Sequence, residues 1–346
     1  MIDKVDKDKM FQSIWNFPEN IDAAIKLGER IILKNDYSGI NKIVIAGMGG
    51  SAIGGDVVYT MLNDEIEMPF FVFRGYDIPR WVDSSTLVIC SSYSGNTEET
   101  INVLEKAVLN GAKICAITTG GTIRKLSKKY DYDIVIIPSD MQPRAALAFS
   151  FIPLLYILSK LNIISIGFKS SLISSSQVIK KYRHIYSSND NNNPTIALAK
   201  RIFNRVPIIY ADSEKLHTAA VRLKGQICEN SKILAYHSIY PEMNHNEIVG
   251  WENNPNLFSN YFIIWLFDRE MNERNKARQK IVMEMLDEIG VDQFKIEVAG
   301  DSFNERFLLL IHYGDWLSYW CAILHKTDPS PVKNIVKLKN ELSEIL

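Results

Sequence analysis

The stretch Ser91–Thr100, with the sequence SSYSGNTEET, carries a dense cluster of groups that could bind an anion. Ser92, Ser94 and Thr97 offer hydroxyl donors, and they follow the apolar run Thr86–Cys90 and precede a helical pattern. The N–H groups at the start of a helix, together with nearby hydroxyls, suit an anion of phosphate size. The same residues are also compatible with a capped turn that binds no ligand.

A second candidate loop, GMGGSAIGG, occupies Gly47–Gly55 directly after the apolar run Lys42–Ala46. Its glycine spacing overlaps the dinucleotide-binding fingerprint, with Ala52 in the third position. That fingerprint also needs an acidic residue at the end of the next strand, whereas Asp64 and Glu65 precede that strand. The lysine of a phosphate-binding P-loop is missing from the motif. Nucleotide binding is therefore disfavoured.

The two loops are better interpreted together, because parallel strands place their following loops at one edge of a sheet. Gly50 and Ser51 of the glycine-rich loop then face the hydroxyls of Ser92, Ser94 and Thr97. Such a set suits a phosphate monoester. It contains no lysine, so neutral donors and helix N-termini would stabilise the charge.

Alternation of apolar runs and helical patterns predicts a mostly parallel sheet with helices on both faces in each half of the chain. The predicted domains are 1–160 with a helical N-terminal extension, a helical linker 161–194, and 195–346 with a terminal helix. The polar run Ser187–Pro194 is the main linker signal. The predicted strands are Lys42–Ala46, Phe70–Phe73, Thr86–Cys90, Lys113–Thr118, Tyr132–Ile137, Val206–Tyr210, Tyr261–Phe267 and Phe294–Val298.

Composition excludes several partner classes. A net charge of -1 among 346 residues gives no reason to expect nucleic acid. The longest uncharged apolar run, Ala145–Leu158, is short for a membrane span and predicts a buried helix. The charged start lacks the apolar core of a signal peptide, and the four isolated cysteines are interpreted as reduced core residues of a cytoplasmic protein. No histidine pair has metal-ligand spacing.

Both loops and three further stretches of the sequence carry a family resemblance. GMGGSAIGGD with SSYSGNTEET resembles the sugar isomerase (SIS) domain, a phosphosugar-binding module. Three further stretches resemble the bifunctional phosphoglucose/phosphomannose isomerases of bacteria and archaea: Gln142–Ala146, the block Glu229–Lys232 with Pro241–Glu247, and Ile335–Lys339. The resemblance implies two SIS-type domains of doubly wound, flavodoxin-like architecture.

The resemblance also implies roles for individual residues. Glu229 corresponds to the base that moves a proton between C1 and C2, and Arg144 to the cation that stabilises the enediolate. His245 corresponds to the ring-opening residue, which the family supplies from the neighbouring subunit of a homodimer. Lys339 is the choice for an assisting lysine, with Lys337 as the rival. Asn246 and Glu247 are candidates to orient His245.

The implied activity is interconversion of glucose 6-phosphate or mannose 6-phosphate with fructose 6-phosphate, with no cofactor and no metal. It belongs to carbohydrate metabolism, in glycolysis or gluconeogenesis. Two alternatives stay open. A non-catalytic phosphosugar-binding SIS regulator would not need Glu229, His245 and a terminal lysine together. An isomerase of another sugar phosphate would use the same phosphate-binding loops.

Overall fold

The computed structural model describes residues 2–62, 64–190 and 192–345. The helices and strands in chain order are α1 (Ile2–Val5), α2 (Met10–Trp15), α3 (Phe17–Glu29), β1 (Lys42–Ala46), α4 (Gly49–Leu62), β2 (Phe70–Phe73), β3 (Thr86–Ser92), α5 (Glu98–Leu109), β4 (Lys113–Thr118), α6 (Gly121–Lys129), β5 (Asp133–Ile136), α7 (Leu147–Lys160), α8 (Phe168–Ser187), α9 (Pro194–Ile202), β6 (Val206–Asp212), α10 (His217–Gln226), β7 (Tyr236–Tyr240), β8 (Tyr261–Leu266), α11 (Glu273–Glu288), β9 (Gln293–Ile296), α12 (Phe303–Leu324) and α13 (Lys333–Glu344).

The chain divides into two compact units. We call Asn16–Val178 the first unit, and Met1–Trp15 with Ile179–Leu346 the second unit. This division departs from the predicted range 1–160, since α2 packs with the second unit. The reason is apolar burial: Met10 and Ile14 are almost fully buried, and the ring of Phe11 packs edge-on against Trp316.

The predicted linker 161–194 contains the regular helix α8, and the division between units falls inside that helix. The polar run Ser187–Pro194 belongs to the second unit, where Asn193 is fully buried and caps α9 by accepting from the Thr195 N–H at 2.9 Å. Asn191 of that run lies outside the described residues. A polar run can therefore serve as a helix cap within a unit.

The first unit contains a five-stranded parallel sheet in the order β2-β1-β3-β4-β5. This is the flavodoxin-like order, so the doubly wound parallel fold of the first half is confirmed. Strand β3 is buried along its whole length, as the apolar run predicts for a central strand covered on both faces. The apolar run Ala145–Leu158 forms most of α7, and the prediction of a buried helix is confirmed.

The glycine-rich loop is shorter than the sequence suggested, because α4 begins at Gly49 rather than after Gly55. Close packing explains why glycines occupy positions inside this helix. A Cβ added at Gly54 would lie 2.7 Å from the Cβ of Ser150 on α7, and one at Gly55 would lie 3.0 Å from a methyl group of Ile45. These glycines let α4 lie directly on α7 and on the sheet.

The second unit contains a four-stranded parallel sheet in the order β7-β6-β8-β9. Strand β7 was not predicted. Its sequence, YHSIY, interrupts the apolar pattern with His237 and Ser238, as an edge strand permits. The other strands of this sheet were predicted, with ends shifted by a few residues. Parallel α/β architecture is thus confirmed in both halves.

Helix α12 forms the core of the second unit. It begins with a capping box between Ser302 and Glu305, which satisfies N–H groups at its start. Among the described residues it is the one helix long and apolar enough to span a membrane. In the apolar 18-residue stretch of this helix, 89% is buried inside the protein, as for a core helix.

Three of the four cysteines confirm the interpretation as reduced core residues. Cys90, Cys115 and Cys321 are buried and unpaired, and burial raises the pKa of Cys115 and of Cys321 to about 12. Cys228 is an exception, because it is only partly buried. Its neighbour in the sequence is Glu229, the predicted base.

Candidate active site

The two predicted phosphate-binding loops lie side by side in the first unit. Ala46 at the end of β1 pairs with Cys90 near the end of β3, so both loops leave the same edge of the sheet from adjacent strands. The chain passes from β1 to β2 on one side and from β3 to β4 on the other. This reversal of strand order is the position at which ligands bind in doubly wound sheets.

Hydrogen bonds join these loops through the predicted hydroxyls. The backbone N–H of Tyr93 donates to the Ser51 Oγ at 3.2 Å, which links the loop after β3 to the start of α4. The Ser92 Oγ lies 2.8 Å from the Thr97 Oγ1 and accepts from the Gly95 N–H at 3.1 Å. Ser51, Ser92 and Thr97 are therefore ordered around the beginnings of two helices, where N–H groups favour an anion.

Ser94 differs from the other hydroxyl residues because its side chain is exposed, and its Oγ accepts from the Asn96 N–H at 3.2 Å. Asn96 itself accepts from the backbone N–H of Thr122 at 3.0 Å, at the start of α6. Thr97 occupies the N-cap position of α5, but its hydroxyl bonds to Ser92 instead of capping. Fixed side chains thus surround a turn that stays open at Ser94.

Arg144 lies in the short 3₁₀ turn Pro143–Ala145 and is 5% exposed. This turn approaches the glycine-rich loop: a Cβ on Gly50 would lie 3.3 Å from the Pro143 carbonyl oxygen. The structure therefore brings the predicted enediolate-stabilising arginine to the same loop as Gly50. A side chain at position 50 would press on this turn, which gives a reason for glycine there.

Tyr93 was not singled out by sequence reasoning, although it lies between two of the predicted hydroxyls. Its hydroxyl donates to the Ser139 carbonyl and accepts from the Met141 N–H at 3.0 Å. Burial raises the pKa of the Tyr93 hydroxyl, which keeps it a donor. Tyr93 thereby fixes the segment that leads into the turn containing Arg144. An aromatic residue within a polar loop was the available signal.

Glu229 lies in the second unit, in the π-helical turn Ile227–Ser231 that continues α10. Such turns occur frequently at functional sites, because they redirect side chains out of the regular helix. The turn is fixed on α12: Asn230 Nδ2 donates to Ser318 Oγ at 2.9 Å, and Ser231 Oγ donates to the Ser318 carbonyl at 2.6 Å. The predicted helical segment thus ends in an unusual turn that holds the proposed base.

Lys232 closes this turn. Its backbone is left-handed, with φ of 57°, and its ammonium donates to the carbonyl oxygens of Glu229 at 2.7 Å and of Pro329 at 2.8 Å. A lysine bound to two separated backbone segments holds them together. Lys232 therefore positions the Glu229 backbone against the segment that precedes α13.

A cavity of about 730 Å³ opens beside Glu229 within the second unit. Its volume is in the range of small-molecule sites, and it contains both acids and amines. The lining residues are Lys7, Asp8, Cys228, Glu229, Lys232, Thr327, Asp328, Pro331, Val332, Lys333, Asn334 and Ile335. Of these, sequence reasoning identified Glu229 alone as a site residue, since the others come from three separate parts of the chain.

His245 lies in the 3₁₀ turn Glu242–His245 and is exposed. Its predicted orienting neighbours bind other groups. Glu247 accepts from the Tyr210 hydroxyl at 2.7 Å, and Asn246 Nδ2 donates to Glu242 at 3.1 Å. The structure therefore leaves His245 on the surface of its unit, and the orienting role suggested for Asn246 and Glu247 is not supported.

Lys339 and its rival Lys337 both lie on α13, and both are exposed. Lys337 is 3.6 Å from the Glu341 carboxylate, one helical turn away. The lysine of α13 that lines the cavity beside Glu229 is instead Lys333, at the start of the helix. The structure thus brings Lys333, rather than Lys339 or Lys337, into the lining of this cavity.

The carboxyl edge of the second sheet is built differently from that of the first. Asp212, the last residue of β6, accepts from the Lys215 N–H at 2.7 Å and from Asn275 Nδ2 at 2.9 Å. Asp268, after β8, forms a buried ion pair with Arg306 at 2.6 Å. Fixed internal partners thus occupy the polar groups there. Among the described residues, no three His, Cys, Asp or Glu side chains cluster as metal ligands.

Two parallel α/β units, with hydroxyl-lined helix starts at the strand-order reversal of the first, define the SIS class of proteins. Residues 37–161 match the model of the SIS domain, and residues 191–342 match the bacterial phospho-glucose isomerase C-terminal SIS domain. The C-terminal domain of glucosamine-fructose-6-phosphate aminotransferase from Francisella tularensis has the same fold. The TM-score is 0.72 at 15% identity, covering 93% of this chain and 97% of that one.

Relatives with higher sequence identity indicate the family within this class. A bifunctional phosphoglucose/phosphomannose isomerase of Caldicellulosiruptor bescii is 41% identical over 338 residues, covering 97% of this chain and 99% of the relative. Another from Aquifex aeolicus is 36% identical, covering 90% of this chain and 93% of the relative. The chain belongs to the bifunctional phosphoglucose/phosphomannose isomerase family.

Proposed function

We propose that this protein is an aldose–ketose isomerase that interconverts glucose 6-phosphate or mannose 6-phosphate with fructose 6-phosphate. Family membership supports the reaction class. The structural observation that carries the proposal is the position of Glu229, held by a π-helical turn at the wall of a cavity large enough for a hexose phosphate. A regulator that only binds phosphosugars would not need a carboxylate so held.

Glu229 acts as the base in this proposal. It removes the proton from C2 of the open-chain aldose, and the electrons of the C–H bond form the C1–C2 double bond of an enediolate with its negative charge on O1. The O2 hydroxyl proton then passes to O1, Glu229 returns its proton to C1, and C2 becomes the carbonyl carbon of the ketose. Because the two aldoses differ only at C2, a loosely bound C2 hydroxyl lets one base serve both. Arg144 stabilises the enediolate charge, and Lys339 assists ring opening.

The phosphoryl group is bound by the first unit. Its ligands are hydroxyls and helix-start N–H groups at Gly50, Ser51, Ser92, Ser94 and Thr97. The hydrogen bonds that join Ser51, Ser92 and Thr97 support this assignment, because they order the loops before a ligand binds.

The active protein is a homodimer in which each subunit supplies His245 to its neighbour for ring opening. The exposure of this histidine on its own unit supports a role at another surface. Histidine suits the step because it exchanges protons near neutral pH. The three buried, unpaired thiols support a cytoplasmic location.

The test is deuterium incorporation at C2, followed by NMR, when the protein is incubated with each aldose 6-phosphate in D₂O. We expect incorporation and formation of fructose 6-phosphate from both. Glu229→Gln should reduce both by about 10²- to 10⁴-fold, the usual contribution of a general base. Glu288→Gln, at an exposed position of α11, is the matched control and should retain full activity.

Wild-type protein that binds both 6-phosphates without turnover would favour the regulator instead. Turnover of one aldose alone would restrict the proposal to that substrate. An active Glu229→Gln variant would refute the assignment of the base, while leaving the reaction itself in place.

A further inference from the structure

Lys7 and Asp8 place two opposite charges on the cavity that contains Glu229. They lie in the turn between α1 and α2, and both side chains are exposed. The N-terminal extension thus has a surface on the cavity as well as a packing role.

This turn is firmly held. The buried Asp6 carboxylate accepts from the backbone N–H groups of Met10 at 2.7 Å and Phe11 at 2.8 Å, and the Tyr319 hydroxyl donates to it at 3.3 Å. The ring of Phe11 packs edge-on against Trp316, with centroids 4.9 Å apart. Because the residues on both sides of Lys7 and Asp8 are anchored, the cost of ordering this turn on a ligand is low.

The pair has the chemistry of a diol-binding site. A carboxylate accepts hydrogen bonds from hydroxyls and an ammonium donates to their oxygens, so neighbouring Asp and Lys side chains match adjacent sugar hydroxyls. Lys232 of the same cavity already donates to backbone carbonyls and serves as a structural support. The N-terminal pair is exposed and needs no rearrangement of the fold to reach a ligand.

Substrate chemistry indicates which hydroxyls are involved. Glucose, mannose and fructose 6-phosphates differ at C1 and C2 and share their configuration at C3, C4 and C5. A protein that accepts all three must take its selectivity from the shared part. Sites built to hydrogen-bond a substrate hydroxyl discriminate strongly against an analogue that leaves those groups unpaired.

We propose that Lys7 and Asp8 bind the O3 and O4 hydroxyls of the sugar phosphate and select its configuration at C4. This inference rests on the proposed function, since it uses the same cavity and substrate. It assigns to the N-terminal extension a direct role in recognition.

The experiment measures binding by isothermal titration calorimetry with two polyol phosphates that cannot be isomerised. Glucitol 6-phosphate has the C4 configuration of the substrates, and galactitol 6-phosphate has the opposite one. Lys7→Ala and Asp8→Ala should each weaken glucitol 6-phosphate binding by about 10- to 100-fold, as expected for hydrogen bonds to charged groups. Both should also reduce the preference for glucitol over galactitol. Lys4→Ala, an exposed lysine of α1 outside the cavity lining, is the matched control.

Catalysis provides a second readout. Both variants should lower kcat/KM for glucose 6-phosphate and mannose 6-phosphate by the same factor, because the two aldoses are identical at C3 and C4. Unchanged glucitol 6-phosphate affinity in both variants, or no binding of either polyol by the wild type, would overturn the inference. Absence of turnover by the wild type would overturn the proposed function instead, and the calorimetric comparison would still decide the role of Lys7 and Asp8. Unchanged melting temperatures would show that the variants are folded.

Discussion

A histidine inside α12 predicts a specific loss of stability in mild acid. His312 is fully buried, and its Nε2 accepts from the Trp316 indole N–H at 2.9 Å. Burial, with smaller contributions from Arg183 and Arg222, lowers the pKa of His312 from 6.5 to about 3. The folded protein thus keeps this imidazole neutral down to about pH 3, whereas the unfolded chain takes up a proton below about pH 6.5.

The direction and the size of this loss of stability follow from the linkage between proton binding and folding. As the pH falls, the unfolded state binds a proton that the folded state does not, so the free energy of unfolding decreases. Between pH 7 and pH 5 the loss from this one residue is about 2 kcal/mol. This loss is a large part of the free energy of unfolding of a typical native protein, which is roughly 5–15 kcal/mol.

The assay is urea unfolding of the wild type and of His312→Gln at pH 7, 6 and 5, followed by tryptophan fluorescence. Glutamine offers the Trp316 indole an acceptor and does not titrate, so the variant should lose about 2 kcal/mol less than the wild type between pH 7 and pH 5. Burial also lowers the pKa of His237 and of His325, so these residues contribute to the pH dependence of stability in both proteins. The contribution of His312 is therefore read from the difference in pH dependence between the wild type and His312→Gln. His245→Gln, at an exposed position, should follow the wild type. Parallel pH profiles for wild type and His312→Gln would refute the reasoning.

The remaining predictions concern the packing of the phosphate loop and the dimer. Gly54→Ala should destabilise the protein by about 1–3 kcal/mol in thermal or urea unfolding, because the new Cβ would lie 2.7 Å from Ser150. Gly225→Ala is the control: it lies in α10 with no heavy atom within 4 Å of an added Cβ, and should stabilise by up to about 1 kcal/mol. Coexpression of the inactive variants Glu229→Gln and His245→Ala should restore up to about a quarter of wild-type activity, since a mixed dimer would contain one intact site. Mixed dimers without activity would place both residues in the same subunit's site.

Sequence patterns predicted the strands well where burial is complete. The apolar run Lys42–Ala46 coincides with a strand at the same residues, because a strand covered on both faces must be apolar throughout. Phe70–Phe73 also coincides with a strand, although this edge strand is only partly buried. The edge strand Tyr236–Tyr240 was missed for the opposite reason, since partial exposure lets polar residues enter. The start of α4 was also missed, because glycines that permit close packing resemble glycines of a loop.

For the candidate site, the sequence alone indicated the hydroxyl-bearing loops, since loops after neighbouring parallel strands must meet at one edge of a sheet. It could not indicate the surroundings of Glu229. Lys7 and Asp8 reach that cavity through burial of the α2 side chains, and Lys333 reaches it through the start of the last helix. Local residue patterns report local backbone geometry and burial, whereas a cavity is formed by segments distant in the chain. Only tertiary packing decides which of them meet.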